Sequence, residues 1–224
     1  MDAILLQQKI YGGYAEAALR IGLAYSLYRP AGAAGDPIVP GNLVMTLPAS
    51  FNAEDMAYAR PRGYGRATWY CLADGAQLRV GDYLVNGSGT YFIAAMQACL
   101  PILAVQCNRR VRIARMPNTN GAGYQGYSGV VQSEESDVLG AAGVDASFVS
   151  GWPASILLGG GADGASLLPS GVKQAGVEIL LPASAPVVVA ESDVVHDDLG
   201  RDYAIASAEL SPLGWRIVAS EEHA

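Results

Sequence analysis

Val80-Gly81-Asp82-Tyr83-Leu84-Val85-Asn86-Gly87-Ser88-Gly89-Thr90-Tyr91-Phe92-Ile93-Ala94-Ala95 has a second version later in the chain: Glu191-Ser192-Asp193-Val194-Val195-His196-Asp197-Asp198-Leu199-Gly200-Arg201-Asp202-Tyr203-Ala204-Ile205-Ala206. Asp82 aligns with Asp193 and Gly89 with Gly200 at an offset of 111, and after one inserted residue Tyr91 aligns with Tyr203 and Ile93 with Ile205 at 112. Each copy reads as an Asp that opens a strand, an Asn/Asp/Gly turn, and a second strand that starts at an aromatic. That is a β-hairpin whose turn sets its register. A loop and a further strand follow each copy, Ile102 to Val105 and Trp215 to Val218. Self-similarity at this spacing predicts two related β-domains.

Working outward, most of the chain reads as short β-favouring runs between Gly, Pro, Asn and Asp: 77–85, 90–95, 102–107, 111–113, 177–181, 187–189, 203–206 and 215–219. Short strands at this spacing indicate small barrels or sandwiches. The N-terminus differs. Asp2 is a candidate N-cap, and Leu6, Ile10, Tyr14, Ala18 and Ile21 recur every three or four residues, which predicts a helix ending near Gly22. Gly12-Gly13 interrupts that helix at about 1 kcal/mol per glycine relative to alanine, so a kink or the close approach of another backbone is expected there. Tyr25 to Tyr28 reads as a strand stopped by Pro30. The expected fold is mainly β, with two related small β-barrel or sandwich domains behind an N-terminal α-helix. The expected divisions are helix and strand 1–29, first β-domain 30–116, a Gly/Ser/Tyr-rich linker 117–150, and second β-domain 151–224.

The 224 residues carry 14 Lys/Arg and 21 Asp/Glu, a net charge of −7, which argues against a general phosphate-coating protein. Only 16% are charged, against about 25% in an average soluble protein, while 51% are hydrophobic. Part of the surface is therefore expected to be covered by other subunits. Charge is also uneven: residues 1–116 are net +4 and residues 117–224 net −11. That asymmetry suggests two units with different neighbours, or copies that set one basic half against the next acidic half. No run of 18 apolar residues predicts a membrane span. Asp2 and the short Ala3-Ile4-Leu5-Leu6 do not make a secretory signal, so a cytoplasmic start is expected. Cys71, Cys99 and Cys107 form no CxxC pair and read as small hydrophobes in a reducing compartment rather than as disulfide or zinc partners.

Chemistry-bearing patterns are sparse. His196 and His223 are the two histidines, and no GxSxG elbow accompanies them, so a nucleophilic triad is not expected. Glu134-Glu135-Asp137 and Asp193, Asp197, Asp198 and Asp202 read as solvated loop charge. The second group offers oxygens for calcium but not at EF-hand spacing. Gly159-Gly160-Gly161-Ala162-Asp163-Gly164 lacks the Lys-Ser/Thr of a phosphate cradle. No catalytic, cofactor or metal site is predicted. The richest binding stretch interleaves arginine with aromatics: Tyr58, Arg60, Arg62, Tyr64, Arg66 and Trp69 are the predicted partner-contact residues, a composition enriched in protein interfaces. Arg109, Arg110, Arg112 and Arg115 form a second basic set. Alternation of Arg110 and Arg112 with Val111 and Ile113 predicts one wet and one buried strand face.

Gly81, Asp82, Tyr91 and Ile93, repeated as Asp193, Gly200, Tyr203 and Ile205 after Leu180-Leu181-Pro182, resemble the β-barrel of tailed-bacteriophage head-completion proteins, the head-to-tail stopper and connector or tail-adaptor families. The resemblance covers residues 70–115 and 175–220. Duplication and the N-terminal helix depart from a single-barrel stopper. The resemblance implies a non-enzymatic virion protein, assembled in the host cytoplasm, that forms a ring with itself. Its neighbours would be the portal and adjacent connector or tail proteins; DNA would be passing cargo, with no membrane or small-molecule substrate. A tail or baseplate protein that mounts a fibre, and a β-rich carbohydrate-active enzyme, are the alternatives.

Overall fold

The computed structural model describes residues 2–52, 66–115, 135–143, 147–158 and 176–222. Helix α1 (Ala3–Ile21) is capped as expected, with the Asp2 carboxylate accepting from the Ile4 N–H at 3.2 Å and the Gly22 N–H reaching the Ala18 carbonyl. A Cβ on Gly22 would lie 2.9 Å from the Ala49 carbonyl oxygen, so this close chain reversal requires glycine. The helix runs through Gly12-Gly13 without interruption.

Six strands then close a barrel: β1 (Leu23–Tyr28), β2 (Leu43–Asn52), β3 (Thr68–Leu72), β4 (Tyr83–Asn86), β5 (Gly89–Ala95) and β6 (Ile102–Cys107), in the order β1-β2-β3-β6-β5-β4. Antiparallel pairing of β1 with β4 completes the closure. The second half supplies β7 (Arg109–Arg115), β8 (Ser136–Leu139), β9 (Ala141–Ala142), β10 (Phe148–Ser150), β11 (Trp152–Leu158), β12 (Gly176–Leu181), β13 (Val194–Asp197), β14 (Asp202–Ser211) and β15 (Gly214–Glu222). Its main sheet runs β11-β12-β15-β14-β13-β7, and β7 also pairs with β11, so six strands again close. Read from each barrel's first strand, the order is the same in both.

The repeat therefore extends beyond the hairpin. Residues 47–49 of β2 pair with residues 23–25 of β1 as Trp152, Pro153 and Ala154 pair with Val111, Arg110 and Arg109. The role of β2 is divided in the second barrel: β8 pairs with the end of β7, β11 with its beginning, and the β9–β10 segment lies between them. Register shifts fall at Leu27/Tyr28 and Ile113/Ala114, and again at Ile93/Ala95 and Ile205/Ser207.

Three sequence expectations change. Strand β7, assigned to residues 30–116 as part of the first domain, is the first strand of the second barrel, and the change of barrel falls at Asn108. That residue's side chain bonds both the Ile156 N–H and the Ile156 carbonyl, at 2.8 Å each, which holds the crossover to β11. Residues 117–150, read as a linker, contribute β8, β9 and β10. Residues 77–82 and 187–189, read as strand, lie outside the strands and lead into β4 and β13 instead.

One apolar cluster fills the first barrel, with Leu27, Leu84, Ile93, Ile102 and Ala104 at its centre; Tyr11 and Tyr14 of α1 pack onto it. The other fills the second barrel around Ile113, Ile179, Leu181, Val195 and Ile217, and continues onto the outside of the first through Tyr83, Phe92, Ala94 and Val105. The β4–β5 hairpin is thus buried on both faces. Tyr83 is the centre of this junction, with its ring edge-on to Trp152 at 6.2 Å and its hydroxyl donating to the Pro153 carbonyl at 3.0 Å. Ser184 adds a hydroxyl bond to the Gly81 carbonyl. Burial and these bonds make the two barrels one packed body.

Candidate assembly surface and the repeated ion-pair clasp

The aspartate that opens each repeated hairpin closes its barrel. Asp82 accepts Arg29 Nε at 2.8 Å on one oxygen and Arg29 Nη2 at 2.7 Å on the other, which also accepts the Arg79 N–H at 2.8 Å. Asp193 does the same with Arg115 Nε at 2.7 Å, Arg115 Nη2 at 2.8 Å and the Ala190 N–H at 2.8 Å. Each arginine spends a further bond on a backbone carbonyl, Gln77 in one barrel and Val188 in the other. Arg29 follows β1 and Arg115 ends β7, so each fork ties the end of a barrel's first strand to the start of its fourth. The carboxylate hydrogen bond pushes both guanidinium pKa values up.

The backbone around each clasp is also repeated. Gly81 and Ser192 both have positive φ, +89° and +72°, and both donate to the carbonyl of an isoleucine in the second strand of the hairpin, Ile93 in β5 or Ile205 in β14. At the hairpin tips the Asn86 side chain accepts the Ser88 and Gly89 N–H groups, and the Asp197 side chain accepts those of Leu199 and Arg201. These side-chain acceptors hold a two-residue turn, Gly87-Ser88, in the first hairpin and a four-residue turn, residues 198–201, in the second. Asp82 and Asp193 are each held by three fixed donors, which makes them structural anchors of their barrels.

The arginines of β7 are not a uniformly wet face: Arg109, Arg110 and Arg115 are 34–41% exposed, each beside a carboxylate, and Arg112 is buried. Arg112 is 3% exposed, with Nη1 on Asp137 at 2.5 Å and Nη2 3.6 Å from Glu135. His196, its cross-strand neighbour, sits 2.7 Å from Asp202 through Nδ1 and 3.4 Å from Glu135 through Nε2. This network fastens β8 and the residue before it across β7 and β13. Arg109 lies 3.8 Å from Asp197, and Arg110 pairs with Asp36. Asp193 and Asp197, read as solvated loop charge, are therefore buried partners. With β7 assigned to the second barrel, residues 1–108 carry seven basic and seven acidic side chains, and residues 109–224 carry seven and fourteen. The basic excess of the N-terminal half is thus largely the four β7 arginines. Three of them neutralise acids of the second barrel within the same chain.

Tyr58, Arg60, Arg62 and Tyr64 lie outside the described residues. Arg66 is exposed just before β3. Trp69, in β3, packs against the first barrel's interior and buries its indole N–H without an acceptor among the described residues. Of the cysteines, Cys71 is buried and Cys99 exposed; burial pushes the Cys71 thiol up to about 12. Among the described residues no group of three metal-ligating side chains converges, and no helix is long and apolar enough to cross a membrane.

Exposed apolar side chains occur on both barrels, Leu158 and Val188 of the second among them at 77–78%, and they run consecutively at residues 4–6 of the helix and 43–45 of β2. Ile4, Leu5, Leu19 and Ile21 of α1 are 48–73% exposed, as are Leu23, Leu43 and Val44 at 47–58%. The first four residues of β2 are exposed along the strand, although Leu47 and Ala49 further on are buried. Sequence patterning missed β2 because its apolar residues do not alternate with polar ones. Comparison with known proteins finds no family model, no curated protein and no solved structure that matches this chain.

Proposed function

We propose that the protein is a non-enzymatic structural subunit of a tailed-phage virion, a connector or tail adaptor that assembles into a ring at the head-to-tail joint. The observation that carries this reading is the duplicated closed barrel. The residues that resemble the head-completion motif, Asp82, Tyr91 and Ile93 with Asp193, Tyr203 and Ile205, all serve its frame: the aspartates clasp the strands and the others are buried in the barrels. Two rigid barrels locked through Tyr83 and Trp152 suit a building block that bears load, because closure removes the sheet edges along which strands peel apart. The neutral first barrel, with its exposed apolar helix, is the side that docks on neighbours. The second barrel carries the whole net charge of −7 and faces the DNA, which it repels rather than binds.

The test is the mass of the purified protein in solution, alone and with the portal protein encoded beside it. A ring, either free or formed on the portal, is the expected result. A protein whose mass is the same with and without portal rings overturns the reading and directs attention to tail-fibre partners, then to glycan hydrolysis.

A further inference from the structure

Helix α1 uses one side to cap the first barrel. Tyr11 lies over Gly75, Gln7 accepts the Cys99 N–H, and Ala18 is fully buried. The opposite side carries Leu5, Lys9, Gly12, Gly13, Glu16 and Leu19, all exposed. A Cβ on Gly12 or on Gly13 would meet nothing within 4 Å. Each glycine weakens the helix by about 1 kcal/mol relative to alanine. Within the described chain, neither a kink nor a close backbone contact uses the missing side chains.

We propose that two copies of this chain pair through the outer faces of α1, antiparallel, about a two-fold axis at Gly12-Gly13. Charge placement selects this occupant and this direction. Lys9 stands three residues before the glycine pair and Glu16 three residues after it, both exposed and without an ion-pair partner among the described residues. In an isologous pair every contact occurs twice with the copies exchanged. Antiparallel crossing at the glycines therefore sets Lys9 of each copy against Glu16 of the other, and the leucines at one helix end against Leu19 at the other. Parallel pairing would oppose like charges. The glycines allow the two backbones to approach closely at the crossing point.

The apolar residues of this face, Leu5 and Leu19, are 54% and 73% exposed, so the contact is small and the pair belongs with weak, reversible interfaces below the ~1,200 Å² of specific ones. This inference does not rest on the connector reading.

The experiment is sedimentation velocity of the full chain across a concentration series, with a charge-swap set. The wild type is expected to dissociate from dimer to monomer on dilution. Lys9→Glu and Glu16→Lys each weaken association at least tenfold, and the double swap restores it to within about threefold. Gly12→Leu blocks pairing while circular dichroism shows the helix intact. A concentration-independent monomer, or a dimer indifferent to Gly12→Leu and to single charge reversal, overturns the pairing. So does a double swap that associates as weakly as either single variant. A ring on the portal with no free dimer would sink this inference and leave the connector reading standing; a charge-swappable dimer that ignores the portal would do the reverse.

Discussion

Replacing Arg29 by alanine removes two of the three donors that hold Asp82 and leaves a carboxylate, only 2% exposed, with the Arg79 N–H alone. Breaking one side of a buried pair costs about 3–5 kcal/mol, because the remaining charge stays buried without compensation. The Arg29 side chain is 27% exposed, so water reaches part of the vacated space and the cost falls to the low end, about 2–3 kcal/mol. With a urea dependence of about 2 kcal/mol per molar, the unfolding midpoint drops by roughly 1–1.5 M. Arg115→Ala removes the same bonds from Asp193, but Arg115 is 41% exposed, and about 2 kcal/mol is expected. Arg216→Ala is the internal control. Its pair with Glu178 is just as short, yet its partners are 61% and 30% exposed, and surface pairs contribute under about 1 kcal/mol. The assay is urea unfolding followed by tryptophan fluorescence, with Asp82→Ala and the Arg29→Ala/Asp82→Ala double variant closing a cycle. The double variant should cost no more than Asp82→Ala alone. An Arg29→Ala midpoint no lower than that of Arg216→Ala would refute the idea that the clasp holds the barrel shut.

The positive φ shared by Gly81 and Ser192 makes opposite substitutions informative. Ser192→Gly should raise stability by about 1 kcal/mol through relief of left-handed strain. Gly81→Ala should lower it by about 2, since its Cβ would also press on Ser184, and thermal melts check both. Tyr83→Phe removes the hydroxyl bond to Pro153 but keeps the ring on Trp152, so it should cost about 1 kcal/mol by the same melts, against about 3–5 for Tyr83→Ala. Burial favours the neutral Cys71 thiol, whose pKa rises from the ordinary 9.0 to about 12. Because the unfolded thiol ionises first, this stabilisation is complete below pH 9 and is lost as pH rises toward 12. Cys71→Ala should therefore flatten the fall in urea midpoint between pH 8.5 and 10.5; an unchanged slope would count against it. At pH 8, Cys99 should react with a thiol reagent at least tenfold faster than Cys71, read by mass spectrometry of labelled peptides.

Both hairpins were legible because a turn and the strands that flank it are local, and their Asp, Gly, Tyr and Ile positions recur at a nearly constant offset. The helix was legible for the same reason, since its cap and apolar stripe lie within one element. Arg29 and Arg115 were not connected to those hairpins, because each reaches its aspartate across more than fifty residues and the two arginines are 86 apart rather than 111. Pro-Ala-Ser recurs at residues 48–50 and 153–155, equivalent places in the two barrels, a trace of the longer repeat too short to stand out in the sequence alone. A closer identity misleads there: Leu47-Pro48-Ala49-Ser50 recurs as Leu181-Pro182-Ala183-Ser184, at the end of β12, while its counterpart in the barrel pairing is Trp152 to Ser155.

The sequence by itself determined the β-rich class, the two hairpins, the helix with its caps and the duplication, all of which follow from residue type and short-range spacing. Only the tertiary structure decided where one barrel stops and the next begins. Alternation marks which face of β7 is apolar but not which sheet's edge accepts its N–H groups. The same holds for its arginines. A guanidinium on a strand reads as solvent-facing until a distant strand brings a carboxylate over it, and for Arg112 that strand is β8, which the composition of residues 117–150 had disguised as a linker.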